Sequence, residues 1–183
     1  MAAVRLQLGD LDEYRRHCRE MLRRFEGTTN PYEAERTAKA CLIVPNTLAD
    51  QERPVRLIEQ ALTCSEKEWG YPWFLLSRGM AECRAGRPQS AIEWIHKGRQ
   101  KIKDAPPVYE ALGSLFLALA YHQLKEGNKA RAALATATRL LDENLPKADS
   151  GDLGSSWLDG VFCRVVRREV EGLVSEAIPA PRE

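Results

Sequence analysis

Apolar residues recur at intervals of three and four through most of this chain, and the strict alternation of a half-buried strand is nearly absent. The pattern predicts an all-α protein. A first helix over 11–25 sets Leu11, Tyr14, Cys18, Met21, Leu22 and Phe25 on one stripe, with five arginines on the rest of its surface. The stretch Gly27 to Pro31 ends that helix and starts another, with Asn30 as N-cap and Pro31 at the first helical position, where a missing N–H costs nothing. Helices then follow over 31–44, burying Ala34, Thr37, Ala38, Cys41 and Leu42, and over 50–65, burying Val55, Ile58, Ala61 and Leu62. Pro45 stops the former, and Pro54 is tolerable only in the first turn of the latter. Four more are predicted over 72–85, 88–101, 108–124 and 128–143, with Gly86 as a C-cap and Pro88 as a helix start. Residues 145–155 read as a linker, 156–177 as a last helix, and 179–183 as a frayed tail.

Short turns between helices invite a search for internal repeats. Gly79, Gly86, Ala91 and Ile95 form a series of small and large positions that recurs 39 residues later as Ala118, Lys125, Ala130 and Leu134. Ala137 closes the second copy where Gly98 stands in the first. The physical logic is close antiparallel contact: small residues let two helix axes approach, and large ones fill the space beside the crossing. A weaker copy precedes these, with Ala38 and Cys41 in one helix and Ile58 and Ala61 in the next, around an enlarged turn at 45–51.

This layout resembles the tetratricopeptide repeat, most closely over 72–143. The resemblance implies a right-handed superhelical solenoid of helix hairpins with a C-terminal capping helix. It divides the chain into a partial repeat (1–27), repeats at 28–66, 67–104 and 105–144, a linker (145–155), a cap (156–178) and a tail (179–183). The nearly missing first helix at 1–8 suggests an excised fragment. Lys125 departs from the family's turn glycine, Gly98 from its closing alanine, and Leu75 and Ser114 from its tryptophan. Whole phrases, Tyr14 to Phe25, Ala38 to Leu42, Ala137 to Glu143 and Trp157 to Asp159, also resemble C-terminal repeat regions of planctomycete-type bacterial serine/threonine kinases and WD40-repeat proteins. The chain carries no Gly-rich phosphate loop, Val-Ala-Ile-Lys, His-Arg-Asp or Asp-Phe-Gly, so any kinase activity would belong to a missing N-terminal part.

Composition narrows the function. With 27 Lys+Arg against 26 Asp+Glu, net +1, and the two signs interleaved, no basic face accumulates, and nucleic acid is not expected as partner. No apolar run approaches a membrane span, and the first ten residues lack a signal peptide's apolar core, so the expected location is cytoplasmic. The five cysteines have no CxxC pair and signal neither a zinc site nor a disulfide framework; they read as reduced core thiols. No cofactor and no metal is expected.

Catalytic candidates are weak. His17, His96 and His122 stand alone on their helices, and a His17–Cys18 dyad is poor because neighbours on a helix diverge. What remains is the groove-facing register of the first helices, which by the resemblance gathers Tyr32, Glu35 and Lys39, then Trp73, Leu76, Met80 and Arg84, then Leu115, Leu119, His122 and Gln123. An apolar strip bordered by Lys39, Arg84 and His122 suits a helix or extended peptide of some acidic character. The expectation is a noncatalytic scaffold binding a protein or peptide on its concave face, in trans or within the same polypeptide, unless the last helix fills that groove. The alternative is a small helical enzyme or redox sensor using a cysteine.

Overall fold

The computed structural model describes residues 2–50, 52–147 and 151–176. Among them the chain is all-α, with nine helices: α1 Ala2–Gln7, α2 Leu11–Phe25, α3 Pro31–Leu42, α4 Glu52–Ala61, α5 Tyr71–Arg84, α6 Pro88–Lys101, α7 Pro107–Gln123, α8 Gly127–Asn144 and α9 Trp157–Glu176. The expected tail at 179–183, the end of the expected last helix and part of the linker lie outside the described residues.

Local chemistry sets the ends. Asn30 caps α3 by accepting from the backbone N–H groups of Tyr32 and Glu33, and Asp10 caps α2 by accepting from Glu13. α3 stops at Leu42, two residues before the expected end, because Pro45 disfavours a helical conformation in the residue before it. α4 is shorter than 50–65: beyond Ala61 the Thr63 hydroxyl donates to the Gln60 carbonyl at 2.7 Å and the chain tightens into a turn.

α3 with α4, α5 with α6 and α7 with α8 are the three most extensive helix pairs, and α3, α5 and α7 also touch in succession. The repeat spacing is visible in the backbone. At Gly86 (φ 71°) the Arg87 N–H reaches the Glu82 carbonyl, and at Lys125 (φ 61°) the Glu126 N–H reaches the Tyr121 carbonyl, both at 2.9 Å. The same turn thus recurs 39 residues on, with lysine held in a conformation that suits glycine. Side chains repeat as well: Arg84 donates to the Leu42 and Ile43 carbonyls at the end of α3, and Gln123 donates to the Cys83 carbonyl at the end of α5. Each first helix therefore caps the carbonyl end of the first helix before it.

The small positions do what close crossing demands. A Cβ on Gly79 would lie 2.6 Å from Ile95 Cγ1 and 3.0 Å from the Ala91 carbonyl oxygen, so α5 and α6 meet there backbone to side chain. A Cβ on Gly98 would lie 2.6 Å from the Tyr109 hydroxyl, which donates to the Pro72 carbonyl. Ala91, Ala118, Ala130 and Ala137 are buried, whereas Leu134 is only half-buried. α9 packs against α7, α8 and α1, so helices from both ends of the chain meet.

Candidate functional site

α9 meets two of the cations that sequence reasoning placed at the groove's border. Arg84, its side chain 8% exposed, pairs with Glu169 at 2.5 and 2.8 Å while its plane lies over Phe116. Lys39 is buried between Glu35 at 3.3 Å and Asp159 at 3.1 Å. Burial works against its charge, but Glu35 and then Asp159 more than offset that, and its pKa is raised. Ser77 donates to Glu35, tying α5 to the same cluster. In this conformation neither cation is open to a partner's carboxylate.

The apolar part of the expected strip is core: Leu76, Met80 and Leu115 are fully buried and Leu119 nearly so. His122 is half-buried in the last turn of α7 and, like those four, lines no recess around α3. Tyr32, Lys39 and Trp73 do come together. They line a recess of about 150 Å³ whose other walls are Glu35, Arg36, Trp69, Gly70, Phe74 and Asp159. Tyr32 stacks on Trp69 with ring centres 5.1 Å apart and meets Phe74 edge-on at 5.4 Å, while Trp73 meets Tyr109 edge-on and carries the Lys39 ammonium 4.6 Å above its face. Gly70 admits the Tyr32 ring; a Cβ there would sit 2.5 Å from it. Trp69 is 69% exposed, a large apolar side chain held in water at the mouth.

Across α3 lies a second recess of about 280 Å³, walled by Ala2 and Ala3, by His17, Met21 and Phe25, by Glu33, Arg36, Thr37, Lys39 and Ala40, and by Leu158 and Phe162. Arg36 and Lys39 divide the two. Burial lowers the His17 pKa, which favours the neutral ring beside this apolar surface. Sequence reasoning missed Trp69, Arg36, Met21, Phe25 and the α9 residues as surface candidates. A tryptophan beside a glycine in a connecting segment was the available sign. The linear pattern left open whether the last helix fills the groove or caps the last repeat; α9 packs on α7, α8 and α1 and reaches α3 through Asp159.

Cys18, Cys41, Cys83 and Cys163 are buried and Cys64 half-buried, all as free thiols. Contact with Cys18, then burial, holds the Cys41 thiol well above its usual range, and burial pushes Cys83 up to about 12. Among the described residues no three His, Cys, Asp or Glu side chains gather as a metal site, and no helix is long and apolar enough to cross a membrane.

Helix hairpins in succession, with aromatic and aliphatic recesses as their open features, place the chain in the class of all-α helical-hairpin proteins. No protein-family model, no curated protein and no solved structure matches it.

Proposed function

We propose that the chain is a noncatalytic interaction module of the tetratricopeptide kind, a right-handed solenoid of hairpins that binds a protein or peptide and so scaffolds or regulates a signalling protein such as a kinase. The repeat reading is supported by the 39-residue recurrence of the Gly86 and Lys125 turns and of the Arg84 and Gln123 caps. With α9 bound along the first helices, docking shifts from the groove to its α3 edge. The observation that carries this is the pair of adjoining recesses flanking α3, one aromatic with Trp69 exposed at its mouth, the other almost wholly apolar. Buried aromatic anchors with an arginine beside them are what protein interfaces concentrate their affinity on.

The test is selection of binders from a random displayed peptide library, followed by titration of the best against the protein and its variants. Trp69→Ala combined with Arg36→Glu, both at exposed positions, should weaken binding at least tenfold with an unchanged helical signal. Undiminished binding by the double variant would put the surface elsewhere.

A further inference from the structure

The aromatic recess beside α3 is not the basic border that the sequence pattern suggested: carboxylates line it as well as cations. Two carboxylates, Glu35 and Asp159, share the single ammonium of Lys39, and a third, Glu68, accepts from the Tyr32 hydroxyl at 2.9 Å. Oδ1 of Asp159 is out of solvent and makes no hydrogen bond beyond its contact with Lys39. Arg36 is the one other cation on the lining, and it is exposed, where water and salt screen it. Trp73 already holds an ammonium over its ring, and Trp69 and Tyr32 present more aromatic surface next to it. A recess of about 150 Å³ is too small for a large ligand but accommodates the end of one side chain.

We propose that this recess takes a second organic cation, the ammonium or guanidinium end of a lysine or arginine side chain on a partner protein. The inference rests on the interaction reading above and names the partner's chemistry. An aromatic surface attracts a cation through the negative face of its rings, and the attraction grows when the site is partly desolvated. Glu35 and Asp159 at the back of the recess would add a Coulombic pull that Lys39 only half neutralises.

The experiment is a titration followed by the indole N–H resonances of the protein, assigned with single Trp→Phe variants. The probes are a capped Gly-Gly-Lys-Gly-Gly peptide, its arginine, norleucine and glutamate counterparts, and tetramethylammonium chloride against sodium chloride at equal ionic strength. Saturable shifts of Trp69 and Trp73, but not Trp94, with the lysine and arginine peptides and with tetramethylammonium are expected. Trp69→Ala should weaken that binding at least fivefold, as should Asp159→Asn, while the helical signal is kept. Equal response to norleucine would overturn the cation preference while leaving the interaction reading intact, and a preference for glutamate would do the same by giving the site to Arg36. Response to tetramethylammonium but to no peptide would overturn the protein partner, and no response to any probe would overturn the inference outright.

Discussion

At Gly79 and Lys125 the same repeat position logic has opposite consequences for stability. Gly79 is where α6 leaves no space for a side chain, since any Cβ would press on Ile95 and on the Ala91 carbonyl. Gly79→Ala should therefore cost roughly 1–3 kcal/mol despite alanine's better helix propensity, read as a lower midpoint in urea. Lys125 carries a Cβ in a left-handed conformation that L residues adopt at a cost, so Lys125→Gly should stabilise by about 1 kcal/mol. A neutral or favourable Gly79→Ala, or a destabilising Lys125→Gly, would contradict the packing described. Both positions were legible in sequence because a turn glycine and a small crossing residue are local demands. Trp69 was not, because the ring it stacks on, Tyr32, comes from a distant stretch of chain and no short-range pattern links the two.

Among the elements, the first helices act as a chain of caps, and α9 is fastened to them through charge. Arg84 serves the carbonyl end of α3, the face of Phe116 and the carboxylate of Glu169 at once. Removing it would leave Glu169 and two carbonyls without their donor, so Arg84→Met should destabilise by roughly 3–5 kcal/mol, whereas Glu169→Gln, which keeps an acceptor, should cost less. Loss below 1 kcal/mol for Arg84→Met by chemical denaturation would show that α9 is not fastened there. The helices themselves followed from periodicity with ends correct to within about four residues, the largest misses falling at α4, where side-chain bonding to the backbone competes with the helix. For α9 the sequence left two placements open, capping the last repeat or filling the groove. An amphipathic helix announces that it packs but not against what, and the ten-residue spacing of Asp159 and Glu169 gains meaning only when opposite Lys39 and Arg84.

For the whole molecule, the burial pattern makes thiol chemistry a global probe. Four of the five cysteines are shut in the interior, and only Cys64 is half-exposed in the connection after α4. Native protein should present one readily titrated thiol, lost in Cys64→Ser, and unfolded protein five. A second fast thiol would mean that α2, α3, α5 or α9 opens far more readily than its packing implies. The central claim, that a partner docks on the recesses beside α3 while α9 stays in place, is tested most directly by backbone hydrogen exchange with and without a selected peptide ligand. The account predicts slowed exchange over 31–42 and 69–74 and at the start of α9, with Arg84 and the rest of α9 no less protected than before. Protection confined to α6 and α8, or an α9 that exchanges faster on binding because the ligand displaces it, would contradict the account.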